Sequence, residues 1–307
     1  MAIRSRTSAP RSREAGKVDD VVAMLDWHAG NHGVRRLREW AHRALAVRPG
    51  ERAIDIGAGT GSETHRLAEA TGEAIGVEPN PGLRSVAVQR SRSARFIDGD
   101  TLSLPFDDGS VDVVWCERVF QHLADSSKVA REVARVLRPG GRAAVLDTDS
   151  GTTILYPGDR VVGEAVACST LDAAVDPYAG RKISGHLAQA GLEIEDVGSQ
   201  ALHQDGTSFN WSFVRMLADT AVRAERITAE QRDAFLDDLH VGAEQYALHM
   251  SVTMFAVLAR SAHRRQLVLA QLRRERCSPL LHRVVFPGWH CVDHRCGTIG
   301  CGLFEGV

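Results

Sequence analysis

From residue 18 to residue 47 the apolar positions Val21, Val22, Met24 and Leu25, then Val34, Leu37, Ala41, Ala44 and Leu45, recur at helical spacing. Gly30 and Gly33 divide that stretch into two helices. The turn Arg48-Pro49-Gly50-Glu51 follows, and the period then changes. Ala53-Ile54-Asp55-Ile56 is a short apolar run ending in Gly57-Ala58-Gly59-Thr60-Gly61, after which residues 63–70 resume helical spacing. Strand, glycine turn and helix are the elements this order predicts. Further strand-like runs fall at 73–77, 94–97, 111–115 and 142–146, with helical stretches at 82–89 and 128–137 between several of them. That alternation predicts an α/β fold with a doubly wound, parallel sheet. Downstream, 185–190 reads as a helix and 192–197 as a strand. Residues 209–247 keep helical period through Trp211, Val214, Leu217, Phe235, Leu236 and Leu239, and 252–258 is a last β-rich run.

Composition narrows the class. With 307 residues, 44% hydrophobic and 25% charged, the chain is globular and long enough for a sizeable core. The formal net charge of −2 gives no global basic field, so nucleic acid is not the expected partner. The average hides an asymmetry: 1–17 and 263–307 each carry +4, which leaves −10 on the body between them. No apolar run approaches the ~18 residues of a membrane span. Residues 1–17 hold five basic residues and one acid without an apolar block. They read as a disordered basic arm and not a secretory signal, and the expected location is cytoplasmic. Four of the six cysteines (Cys277, Cys291, Cys296 and Cys301) cluster in the tail with His282, His290 and His294. Their spacing lacks the C-x2-C knuckle of zinc sites, so no metal is expected, and 263–307 is taken as an extension outside the core.

The glycine turn carries the clearest chemistry. Glycines at 57, 59 and 61 allow a sharp turn and close approach of a ligand, and the next helix offers free N–H groups. A dinucleotide site wants G-x-G-x-x-G, but here the third glycine comes one residue early and Ser62 stands in the last place. Glu78, just beyond the run Ala74-Ile75-Gly76-Val77, is placed to accept ribose hydroxyls.

Ile54-Asp55-Ile56-Gly57-Ala58-Gly59-Thr60-Gly61 with Glu78 resembles motif I and its acidic partner in class I S-adenosylmethionine-dependent methyltransferases. Asp98-Gly99-Asp100, Leu104-Pro105-Phe106, the run 112–115, Glu117-Arg118-Val119-Phe120-Gln121-His122 and Arg135-Val136-Leu137-Arg138-Pro139-Gly140-Gly141 continue the similarity in order over about 100 residues. Within that family the chain looks most like small-molecule enzymes of the menaquinone/ubiquinone and actinobacterial natural-product type. The resemblance implies a Rossmann-like, seven-stranded sheet with helical lid insertions. A domain at 18–262 would have its core at 49–149 and lid elements at 18–47, 150–180 and 201–247.

The implied cofactor is S-adenosylmethionine. The resemblance carries Gly57, Gly59 and Gly61 onto the methionine moiety, Glu78 onto the ribose and Asp100 onto the adenine amino group. Asp55 would orient the loop, and Glu117 would line the donor site. If the acceptor must lose a proton, a base is needed near the methyl group. His122 is the first candidate, and Asp147, with Asp149, the second. Trp27, His28, Tyr156, Tyr178, Phe209, Trp211, Phe213 and Met216 would furnish a lid suited to an apolar or aromatic small molecule. Two other classes stay open here: an NAD-dependent oxidoreductase, and a noncatalytic S-adenosylmethionine-binding module.

Overall fold

The structure is a computed structural model and describes residues 9–173, 175–206 and 208–262. Two units divide at Arg264 and Arg265. The second, with the Cys/His tail, lies outside the described residues, as do residues 1–8. Helix α1 (Ala9–Gly30) begins inside the segment expected to be an arm, so residues 9–17 are helical.

Seven strands form one sheet: β1 (Ala53–Ile56), β2 (Ala74–Val77), β3 (Arg95–Ile97), β4 (Val111–Glu117), β5 (Leu137–Tyr156), β6 (Leu192–Gln204) and β7 (His249–Ser261). Their order is β3-β2-β1-β4-β5-β7-β6. The first five pair in parallel, with Ile56 beside both Val77 and Cys116, but β7 runs antiparallel between β5 and β6. The sheet is therefore mixed, which corrects the all-parallel expectation. Alternation of apolar and polar residues does not report strand direction when both faces are covered.

Both faces are indeed covered. Ile54, Ile56, Val114, Cys116 and Val145 pack on one side against α5 (Ser127–Val136) and α7 (Ala179–Gln189) through Val129, Val133, Ile183 and Leu187. Ala53, Val113, Trp115, Ala144 and Leu146 face the other side, against α2 (His32–Leu45) and α3 (Ser62–Thr71) through Val34, Leu37, Ala41, Leu45 and Leu67. Neighbouring strand residues go to opposite faces, as a pleated strand requires. Helix starts are fixed locally. Asn31 accepts from Gly33 N at 2.8 Å ahead of α2, and Asn80 accepts from Gly82 N at 2.9 Å ahead of α4 (Pro81–Arg90).

Beyond the core strands, β5 and β7 continue as a long antiparallel ribbon. There α6 (Arg160–Ala173), α8 (Trp211–Arg223) and α9 (Ala229–Glu244) build a third core from Val166, Val214, Leu217, Phe235 and Leu239. Phe209, Trp211 and Phe213, expected over the site, pack in this cluster, and Trp211 stacks on His240 at 3.9 Å between centroids. The order in which strands are added reverses between β1 and β4: β2 and β3 lie to one side and β5 to the other. In open α/β sheets such a switch point is where ligands bind, at the strands' carboxyl ends.

Candidate cofactor and active site

A cavity of about 450 Å3 opens at that switch point, within the roughly 300–1,000 Å3 range of small-molecule sites. The turn after β1 forms one wall. Gly57 (φ +72°) and Gly59 (φ +55°) sit in the left-handed region, which side-chain-bearing residues avoid. A Cβ on Gly57 would lie 2.5 Å from Val119 Cγ2, and one on Gly59 would lie 3.3 Å from Leu25 Cδ1 of α1. Glu78 ties the turn to β2: its carboxylate accepts from Gly59 N at 2.9 Å and from Asn80 N at 2.8 Å. Burial pushes Glu78 up from the ordinary carboxylate value, and those two N–H donors oppose the rise.

Carboxylates dominate the remaining polar lining. Asp55 is buried and accepts from Thr64 Oγ1 at 2.6 Å. Burial raises its pKa to about 7, assisted by the negative charges of Glu63 and Glu117. Arg38 of α2 bridges Glu63 at 3.0 Å and Glu117 at 2.8 Å, and all three of its guanidinium nitrogens are engaged. His42, one turn further along α2, reaches Glu63 at 2.6 Å and stacks on Trp115 at 4.3 Å between centroids. Four cavity-lining carboxylates (Asp55, Glu63, Glu78 and Glu117) thus face two guanidiniums, Arg38 and Arg118.

His122 ends the short 3-10 turn Phe120–His122 after β4 and lines the cavity. Burial first, and the Arg118 charge second, hold its pKa below the usual histidine value. In its neutral form the imidazole can accept a proton. His28 of α1 also lines the cavity, and burial with Arg118 and Arg38 pushes it down to about 3.

Six of the sequence-predicted residues therefore meet: Asp55, Gly57, Gly59, Glu78, Glu117 and His122. Three do not line the cavity. Gly61 (φ +84°) faces the Phe96 ring, whose Cζ would be 2.6 Å from an added Cβ, so its freedom serves helix–strand packing. Asp100 is exposed and accepts from Leu102 N within its own loop, while its neighbour Thr101 is the lining residue. Asp147 is wholly buried, accepting from Gln121 N at 3.1 Å and Thr148 N at 2.8 Å. Burial raises Asp147 to about 7. Its geometry suits pinning the His122 turn to β5. Asp149 is buried against Arg181. Of the expected lid, α1 lines the cavity through Val21, Met24, Leu25, His28 and Ala29, whereas no described residue of 150–180 or 201–247 does so.

Arg38, His42 and Glu63 were not singled out from the sequence, although a signal existed. Arg38 and His42 fall within the buried stripe 34-37-41-45 of α2, where a charged residue requires a buried partner. No group of three or more metal-ligating side chains occurs among the described residues, and none of their helices is long and apolar enough to cross a membrane.

Residues 54–145 match the family described as methyltransferase domain. An uncharacterized 37.1 kDa protein in transposon TN4556 of Streptomyces fradiae is 30% identical over 80% of this chain and 72% of its own length. The 27-O-demethylrifamycin SV methyltransferase of Amycolatopsis mediterranei is 33% identical over 59% of this chain and 66% of its own. A demethylmenaquinone methyltransferase of Renibacterium salmoninarum is 31% identical over 42% and 59%. The chain thus spans less than two thirds of these two named enzymes. Among solved structures, the YcgJ protein of Bacillus subtilis superposes with a TM-score of 0.51 at 20% identity, covering 73% of this chain and 97% of that one. Ordered motifs, sheet order and relatives agree, and the chain belongs to the class I S-adenosylmethionine-dependent methyltransferases.

Proposed function

We propose that this enzyme binds S-adenosylmethionine in the β1–β4 cavity and methylates an O, N or C atom of a small molecule of the natural-product or quinone kind. The observation that carries the reading is the cavity's build, a glycine cradle closed to any Cβ and a lining with more carboxylates than guanidiniums. Such a lining suits a ligand bearing a sulfonium and an ammonium. The relatives active on rifamycin and menaquinone precursors support the acceptor class.

When bound, the cofactor supplies a methyl group on a positively charged sulfur, already an excellent leaving group. The protein's part is to position and to dry the site. Gly57 and Gly59 allow the cofactor's backbone approach, Glu78 is placed for the ribose hydroxyls, and Glu117 with Asp55 offers negative charge for the amino group. Residues of α1 exclude water from above the glycine turn. His122 is placed to take a proton from an acceptor that must lose one. The glycine spacing disfavours the NAD reading, because Ser62 opens α3 where a dinucleotide site places its third glycine.

Calorimetry with S-adenosylhomocysteine tests the reading directly. Glu78→Ala should weaken binding by about tenfold or more, a loss of ~1.4 kcal/mol or more, with little change in Tm. His122→Ala should leave that affinity near wild type and lower turnover in a radiolabelled-methyl acceptor screen. Wild-type protein that binds NAD and not S-adenosylhomocysteine would overturn the assignment.

A further inference from the structure

Among the described residues, Arg118 is the one cation of the cavity lining without a direct side-chain partner. Arg38 is saturated by Glu63 and Glu117. His28 and His122 are held neutral. Arg118, by contrast, makes no side-chain hydrogen bond or ion pair among the described residues, and Glu117 and Asp147 act on it only through space. It lies deep enough for burial to lower its pKa from the ordinary arginine value, yet it lines the cavity. Its charge acts on His28 and on His122, which line the same cavity. The backbone is bent to achieve this. Arg118 has φ +56° and donates its N–H to Leu146 O at 2.8 Å, directly after the last residue of β4. A half-buried guanidinium with no direct ion pair costs stability, and a left-handed arginine adds strain. Both costs are met where a ligand supplies the missing anion.

We propose that Arg118 anchors an anionic oxygen of the methyl acceptor, a carboxylate, phenolate or enolate, beside the proton-accepting imidazole of His122. The proposal rests on the methyl-transfer reading above. Acceptor, and not donor, is favoured: the donor's amino-acid end is expected at the glycine turn and Glu117, whereas Arg118 lines the cavity with His122, the candidate base, and its charge acts on that imidazole. An acidic O–H would pass its proton to His122, and the resulting oxyanion would be held by Arg118. An oxygen lone pair then forms the new O–CH3 bond as the C–S bond breaks, its electron pair staying on sulfur. The methylated oxygen is neutral and loses its attraction to Arg118, so substrate is held in preference to product.

The test uses the full chain saturated with S-adenosylhomocysteine and two probes of one shape, 2-naphthoate and the uncharged 2-naphthamide. Wild type should bind 2-naphthoate about tenfold tighter or better. Arg118→Met should abolish the preference, Arg118→Lys should keep part of it, and S-adenosylhomocysteine affinity should stay within about twofold. Arg118→Gln gives the same reading if the methionine variant does not fold. No preference in wild type, or a preference that survives Arg118→Met, overturns the proposal. So does a loss of S-adenosylhomocysteine affinity beyond about tenfold, which would assign Arg118 to the donor's own carboxylate. A wild type that binds no S-adenosylhomocysteine counts against the methyl-transfer reading instead, and the naphthoate preference is then read on the protein alone.

Discussion

Asp55 shows what a single buried carboxylate does at this site. Its neighbours Glu63 and Glu117 and its burial raise its pKa to about 7, and burial does the same to Asp147. Unfolded, both would titrate near ~3.9. Between those limits the folded protein holds protons at these two groups that the unfolded chain releases, so their contribution to stability is lost as pH rises from about 4 to about 7. His28, which burial pushes down to about 3, works in the opposite direction as pH falls below its ordinary value. The carboxylate contribution is isolated by comparison: between about pH 7.5 and about pH 5.5 the Tm of wild type should gain on that of Asp55→Asn, which keeps the shape and removes one of the two titrations. An identical slope in the variant would place the titration elsewhere. A charge-bearing ligand would act on the same equilibrium. A bound ammonium near Asp55 favours its ionised form and moves that pKa down.

Helix α1 is the cavity wall contributed from outside the sheet, and its attachments are slight. Asp26 makes a two-pronged pair with Arg90 of α4 at 2.6 and 2.9 Å, with both side chains more than two-fifths exposed. Such pairs contribute about 1 kcal/mol or less. Removing residues 1–30 should thus change Tm by only a few degrees, while lowering S-adenosylhomocysteine affinity by about tenfold or more, as measured by melting and calorimetry on the shortened chain. At this scale the sequence was legible where the period was sharp. Strands β1 to β4 and helices α2 to α5 fall close to where apolar spacing places them, since Ile54, Val77 and Val114 are flanked by turn residues. The lining of the candidate site was readable as far as its loops are local, from Asp55 to Gly59 with Glu78. Arg38 and Arg118 were not readable as site residues, because their roles depend on which carboxylates the tertiary fold brings near. Helix α6 escaped notice because Val161, Val162, Val166 and the small residues around them mark no narrow stripe. That Phe209, Trp211 and Phe213 pack in the helical cluster was not legible, because an exposed aromatic and one packed on its own neighbours look alike in a sequence.

At the scale of the whole molecule, the described residues carry two kinds of core, with consequences that can be separated. The sheet clusters position the cavity, whereas the cluster of α6, α8 and α9 contributes no lining residue. Leu217, fully buried in the helical cluster, should cost about 2–5 kcal/mol as Leu217→Ala. Tm should fall with no more than about a twofold change in S-adenosylhomocysteine affinity. A tenfold loss would show that the helical cluster holds the cavity in shape. Strand order has a further consequence, for synthesis. β6 joins the sheet only through β7, which is inserted between it and β5. A chain emerging from the ribosome thus completes β6, α8 and α9 while two strand edges still await the same partner. Unpaired edges of this kind template association with other chains. Residues 249–261 act as a keystone laid last. Any truncation ahead of them should leave the glycine turn and its motifs intact in sequence, yet yield a protein that aggregates before it can bind anything.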